Sequence, residues 1–215
     1  MATDQFDSTA ARELMVESQL RARGISDARV LDAMRRVPRH EFVPEAERSR
    51  SYDDNALPIG NSQTISQPYV VALMLEDLSL TAADKVLEVG TGSGYVTALL
   101  AELVAQVFSI ERHAALADRA RSVLRKLGYS RVQVLHGDGT LGLPDAAPFD
   151  AILVSAATPA VPAALPSQLR DGGRMIIPVG SLEAQQLQWI RMIGGKAVVA
   201  PRDPVRFVPL IAGLE

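Results

Sequence analysis

From residue 85 onward the chain alternates short apolar runs with longer stretches whose apolar positions recur every three or four residues. KVLEV (85–89), QVFSIE (106–111), VQVLHG (132–137) and DAILVS (150–155) have the length and content of buried strands. Residues 94–105 and 113–127 carry the helical period, and Gly128 closes the second stretch. A short helix is predicted near 161–170 and a further strand at RMIIPV (174–179). QLQWIRMI (186–193) and AVVAPRDPVRFVPL (197–210) read as later, antiparallel strands. Repeated βα units build an α/β fold around a mostly parallel, doubly wound sheet with helices on both faces. Such sheets take their ligands at the carboxyl ends of the strands, where the strand order reverses.

The first 50 residues predict helices instead. Ser8 or Thr9 is placed to cap a helix that carries Leu14, Met15 and Leu20 and stops at Gly24. A second helix starts near Ser26, with Val30, Leu31, Met34 and Val37 at helical spacing, and Pro38 ends it. SYDDNALPIGNSQTIS (51–66) has no period and is dense in turn formers, which predicts a loop. QPYVVALMLEDL (67–78) predicts a helix with Pro68 in its first turn and Val71, Leu75 and Leu78 on one face. The expected organisation is one domain over 1–215, with N-terminal helices and a loop over 1–80 and the α/β core over 81–215.

Composition narrows the class. Of the 215 residues 47% are apolar, enough for a sizeable core. A net charge of −3 offers nucleic acid no broad basic surface. The absence of cysteine excludes disulfides, thiolate metal sites and a thiol nucleophile. His40, His113 and His136 have no ligand spacing, so no metal is expected. The start, MATDQFDSTAARELMVESQ, is polar and acidic and lacks the basic and apolar regions of a targeting segment. No apolar run approaches the roughly 18 residues of a membrane helix. These features predict a cytoplasmic protein, expected to act as a monomer, with neither nucleic acid nor membrane as partner.

The candidate chemistry starts at VLEVGTGSGYVTALL (86–100), where a strand runs through Gly90, Gly92 and Gly94 into a helix. A triphosphate loop needs G-x-x-x-x-G-K-[ST], and no lysine is present. The dinucleotide fingerprint needs its third glycine three residues after the second, and the spacing here is G-x-G-x-G. Glu88 precedes the loop. A carboxylate there would repel a phosphate and attract an ammonium or sulfonium. Glu111 ends the next strand 21 positions after Gly90. That matches the ~20-residue offset of an acid that holds ribose hydroxyls. Asp138, in HGDG (136–139), either accepts a bond from an exocyclic amine such as adenine N6 or closes an Asx-type turn. An acid, a G-x-G-x-G loop and a ribose acid together resemble the S-adenosylmethionine site of Rossmann-like methyltransferases. The fourth strand ends VSAATP (154–159), without the Asp/Asn-Pro-Pro-aromatic tetrad of enzymes that methylate DNA bases.

Further segments narrow the resemblance. VLDAMRRVPRHEFVPE, DNALPIGNSQTISQPYVVALM, VLEVGTGSGYVTALLAEL, HGDG, PFDAILVSAATPAVPAAL, LRDGGRMIIPVG and RFVPL are similar to the bacterial protein-L-isoaspartate O-methyltransferases over all but about the first dozen residues. QTISQP and RFVPL are more diagnostic than the glycine loop, which many methyltransferases share. One departure is Ser62, where the family commonly has glycine.

The resemblance implies methyl transfer from S-adenosylmethionine to isoaspartyl residues of damaged proteins, as the first step of their repair. It implies Ser66 as the active-site residue, with Thr64 and Ile65 beside it on the cofactor. It also implies cofactor contacts for Glu88, Gly90, Gly92, Gly94, Glu111, Asp138 and Gly139. Leu57, Pro58 and Ile59, with Phe207, Val208, Pro209 and Leu210, match segments that embrace the substrate peptide, largely through main-chain bonds. From the residues alone, a serine two before Pro68 is equally an ordinary helix N-cap. Trp189 in an alternating pattern reads as packing, and His113 as a surface residue in the first turn of a helix. Two other readings stay open: a methyltransferase for a small carboxylic acid or amine, and a non-catalytic module that binds isoaspartyl or C-terminal peptides.

Overall fold

The computed structural model describes residues 7–215; residues 1–6, where the acidic start begins, lie outside the described residues. Helix α1 (Ser8–Leu14) is capped by Asp7, whose carboxylate accepts the amides of Thr9 and Ala10 at 3.0 Å. The cap is therefore one residue earlier than Ser8 or Thr9, because only from there does a short side chain reach the second and third amides. The chain continues through a π-helical stretch (Met15–Leu20) and a 3-10 turn (Arg21–Arg23) and stops at Gly24, as expected. Helix α2 (Ala28–Arg36) is capped by Asp27 and buries Val30, Leu31 and Met34 before Val37 turns extended ahead of Pro38.

Segment 51–66, expected to be loop throughout, contains an antiparallel hairpin, β1 (Leu57–Gly60) and β2 (Gln63–Ile65). Strands this short, one of them holding Pro58, leave almost no period to read. The connecting residues Gly60, Asn61 and Ser62 have φ of 94°, 50° and 55°. Ser62 thus occupies a left-handed conformation that costs an L side chain about 1 kcal/mol. Helix α3 (Pro68–Asp77) follows with proline at its first position.

The α/β half follows its predicted order: β3 (Lys85–Val89), α4 (Tyr95–Leu103), β4 (Gln106–Glu111), α5 (Ala114–Lys126), β5 (Gln133–His136), β6 (Phe149–Val154), β7 (Leu169–Gly180), β8 (Gln185–Ile193) and β9 (Lys196–Val205). They form one sheet in the order β5-β4-β3-β6-β7-β8-β9, parallel through β7 and antiparallel for the last two strands. The fold is Rossmann-like, and its strand order reverses between β3 and β6. No helix forms over 161–170. Pro162 and Pro166 withhold amide donors there, only a 3-10 turn at Pro166–Gln168 forms, and β7 begins at Leu169. The β8–β9 hairpin turns at Gly194 and Gly195, both at positive φ. Strand β9 stops at Val205, short of Leu210. Residues 206–210 cross back over the sheet, where Val208 O accepts from Ala157 N at 2.8 Å and Leu210 N donates to Ala157 O at 2.6 Å.

The two faces of the sheet are covered differently. Residues of α2, α3, α4 and α5 share one apolar cluster with Val86, Val107 and Leu153 of the sheet. On the other face Leu87, Val89, Ile152 and Val154 pack against Leu143, Val161 and Leu165, which belong to loops and turns. Among the described residues that second face has no α-helix, although helices were expected on both.

Candidate active site

The site forms at the reversal of strand order. After Val89 the chain turns at Gly90, whose amide donates to Ile110 O at 2.8 Å, while Ser155, after β6, donates its amide to Val89 O at 2.8 Å. These bonds fasten the ends of β3, β4 and β6 around a cavity bordered by Gly90, Gly92, Glu111, Gly139, Thr64 and Ile65. Gly139 has no room for a side chain, since a Cβ would lie 2.5 Å from Val89 Cγ1. Gly94 does not border the cavity. It opens α4 in the left-handed region, and a Cβ there would meet Ala120 and Leu124 of α5 at 3.2–3.3 Å. Its requirement comes from helix packing, which corrects the expected cofactor contact.

The three acids separate into different roles. Glu111 Oε2 accepts from Gly92 N at 2.8 Å and Oε1 from His113 N at 3.0 Å. A carboxylate can accept further bonds on each oxygen, and Glu111 borders the cavity, which suits an acceptor for a vicinal diol. Glu88 points away. The alternation of β3 puts it on the helical face, fully buried, where Oε2 accepts from Thr97 at 2.5 Å and Ser109 at 2.6 Å. Burial pushes its carboxyl up to about 8, so near pH 7 it is protonated and offers a sulfonium no charge. The expected cofactor role of Glu88 is corrected accordingly: it braces α4 against β4. Asp138 accepts from Thr140 N at 2.9 Å, from Thr140 Oγ1 at 2.6 Å and from Gly213 N at 2.7 Å. Burial would raise its carboxyl, but these bonds outweigh burial and hold it below the ordinary carboxylate range. Asp138 therefore closes an Asx turn, and Gly139 beside it meets the cavity.

A second cavity is lined by Asp54, Asn55, Gln67, Arg206 and Phe207, and it shares Thr64, Ser66, Ser155 and Val208 with the first. Ser66 is not a helix cap. Gln67 holds that position without a side-chain bond, and the amide of Tyr69 is taken instead by Asp54 Oδ1 at 3.2 Å. Among the described residues the Ser66 hydroxyl makes no hydrogen bond. Its carbonyl accepts from Arg39 Nη2 at 2.8 Å. Leu57 and Ile59 line neither cavity. They are 1% exposed and anchor the hairpin in the core, while Pro58 sits on its outer face. Phe207 is held through its own main chain, its amide donating to Gln185 Oε1 at 2.7 Å and its carbonyl accepting from Gln185 Nε2 at 3.1 Å. Val208, Pro209 and Leu210 also line the first cavity.

The profile of the family described as protein-L-isoaspartate(D-aspartate) O-methyltransferase matches residues 10–215. The chain belongs to this family. A protein-L-isoaspartate O-methyltransferase of Roseiflexus castenholzii is 57% identical over 208 residues, covering 97% of this chain and 95% of the relative. Protein-L-isoaspartate O-methyltransferase 1 of Syntrophobacter fumaroxidans is 59% identical over 201 residues, covering 94% of each chain. Among solved structures, a protein-L-isoaspartate O-methyltransferase superposes with a TM-score of 0.87 at 30% identity, over 94% of this chain and 67% of the other. A Plasmodium falciparum chain described as a member of the same family, in complex with S-adenosyl-L-homocysteine, superposes with a TM-score of 0.83 at 26% identity, over 93% of this chain and 98% of the other.

In this member of the family several cavity residues escape sequence reasoning. His113, expected on the surface, is 6% exposed and borders the first cavity as the residue that opens α5. His136, the histidine beside the GDG turn, is exposed and bonded to the carbonyl of Arg112 at 3.0 Å. Tyr95 borders the first cavity from the start of α4 and Ser155 from the end of β6. The only signal for them was position at a strand end or helix start beside the switch point. Trp189 packs as expected, with its indole N–H donating to Asp77 O at 3.1 Å.

Proposed function

We propose that this chain transfers a methyl group from S-adenosylmethionine to the free α-carboxylate of L-isoaspartyl residues in peptides and damaged proteins, starting their repair. One observation carries the reading: two cavities, one with a diol-accepting carboxylate and one open to a peptide, meet at Ser66 and Thr64. S-adenosylmethionine, when bound, supplies a methyl group activated by a positively charged sulfur. Glu111 is assigned to its ribose hydroxyls, while Thr64, Ile65, Gly90, Gly92 and Gly139 give the walls against which the rest lies.

The acceptor needs little activation. A free α-carboxyl has an unperturbed pKa of roughly 3.3–3.7, so it arrives as a nucleophile at neutral pH. The work of the site is alignment and exclusion of water. Opposite charges neutralise during the transfer, so strong bonds to the carboxylate would stabilise the ground state more than the transition state. Ser66, with one free hydroxyl, gives orientation without a strong charge. Phe207 and Val208, clamped by Gln185 and Ala157, are the assigned wall for the peptide. The resulting ester collapses to a succinimide, whose hydrolysis returns part of the material to normal aspartate.

Among the described residues no helix is long and apolar enough to cross a membrane. The reading extends to a cytoplasmic monomer, residues 1–215 acting as one domain, without nucleic-acid or membrane partners. The test is a matched peptide pair. The isoaspartyl peptide should be methylated with kcat/KM about 10²-fold or more above its aspartyl isomer, because the isomer offers its carboxylate from a different branch about 1 Å out of place. Comparable values for the two would remove the repair assignment and favour transfer to some other acid.

A further inference from the structure

We infer that Arg39 is the positioning residue of the acceptor side, a buried cation that fixes the Ser66 peptide group and the 51–55 segment against the aromatic wall of the donor cavity. The inference rests on the function proposed above for Ser66. Arg39 enters the molecule in the turn after α2 and is fully buried. Its Nε donates to Ser51 O at 2.7 Å, and its Nη2 donates to Ser66 O at 2.8 Å and to Asn55 O at 3.4 Å. Its guanidinium carbon lies 4.9 Å from the ring centroid of Tyr95, which borders the donor cavity and packs edge-on against Phe42 at 5.6 Å. Among the described residues no carboxylate pairs with it, and Nη1 is buried without a partner.

A buried cation held by carbonyls and an aromatic ring, with no ion-pair partner, is an expensive way to fill space, since apolar side chains of the same volume pack more cheaply. Its particular capability is geometric. A rigid planar fork bonds carbonyls from separate segments at once, which the single ammonium of lysine does not. The two segments it joins carry the acceptor cavity: Asn55 lines it, and Ser66 lines both cavities. The Ser66 hydroxyl has no tether of its own among the described residues, so its direction follows the peptide group that Arg39 holds.

The test uses Arg39→Lys and Arg39→Gln in the full chain, with Leu31→Ala as a core variant of the same layer that reproduces a loss of melting temperature. The expected result is a fall in kcat on isoaspartyl peptide of about 10–10²-fold, the cost of an ångström-scale misplacement. Affinity for S-adenosylhomocysteine should stay within about threefold. Amide hydrogen exchange should quicken at residues 63–67 and stay protected at 85–89, while Leu31→Ala leaves kcat unchanged. Should the glutamine variant fail to fold, the lysine variant carries the comparison. Wild-type kcat in Arg39→Lys, a loss no larger than that of Leu31→Ala, or unchanged exchange at 63–67 would overturn the inference. Wild-type protein that does not tell isoaspartyl from aspartyl peptide would sink the functional reading instead, and the exchange result would still judge Arg39.

Discussion

The donor side and the acceptor side of the site are built on different principles. The donor side is local and rigid. Gly90, Gly92, Glu111 and Gly139 stand at the ends of β3, β4 and β5, and strand pairing with 2.8–3.0 Å bonds sets their separations. The acceptor side draws on Arg39, the 51–67 segment, Ser155 and residues 206–208, which no common sheet aligns. Most of its joints are side-chain bonds: Asp54 to the start of α3, Arg39 to three carbonyls, Gln185 to Phe207, with Val208 held by the main chain of Ala157. A sheet edge can be shared by many methyltransferases because it recognises the common donor, whereas a separately tethered wall can change with the acceptor.

That contrast can be broken by experiment. The largest effect is expected on the donor side, from Glu111→Ala. Bonds to charged groups are worth roughly 1.5–3 kcal/mol, so S-adenosylhomocysteine affinity should fall about tenfold to a hundredfold. Calorimetric titration at wild-type affinity would remove Glu111 from the site. The acceptor side predicts a different signature for Ser66→Ala. Since Ser66 caps nothing, the melting temperature should hold to within about a degree, and kcat should fall by about fivefold, the worth of one hydrogen bond of ~1 kcal/mol. A drop in stability of about 1 kcal/mol with unchanged kcat would restore the capping role.

Glu88 sharpens the comparison from beneath the glycine loop. Its carboxyl sits at about 8 in the folded protein against an ordinary 4.5. Between these values the folded state holds one more proton than the unfolded state, so this contribution to stability is complete below pH 4.5 and is lost as pH rises through about 8. Its slope approaches about 1.4 kcal/mol per pH unit. Stability measured in denaturant from pH 5 to 8 should show this component in the wild type and lose it in Glu88→Gln, whatever fixed cost the amide adds. An identical pH slope in both proteins would mean that Glu88 is ionised when folded. The smallest effect belongs to the hairpin turn. Ser62→Gly relieves a φ of 55° and should stabilise by about 0.5–1 kcal/mol with kcat unchanged. A destabilised variant would show that the serine is not strained.

The amino-acid order alone determined the alternation of β3 to β6 with α4 and α5, the glycine turn, the offset of Glu111 and the membership of Ser66 in the QTISQP element. These are short-range or periodic signals, carried by the spacing of apolar positions and by residues next to one another. Tertiary structure decided which side chains face the ligand. Glu88 and Glu111 both read as acids facing the cofactor, and the pleat of β3 sent one into the core while the end of β4 left the other at the cavity. Gly94 and Asp138 were drawn into the site by their motifs, and tertiary structure gave the first a packing contact with α5 and the second a bond from Gly213. Leu57 and Ile59 became hairpin anchors because a turn with three successive positive φ values at 60–62 folds a segment without period into the core. His113 and Arg39 became visible only once buried, for the partners that bury them come from segments 12 to 102 residues away in the chain, a separation no local pattern encodes.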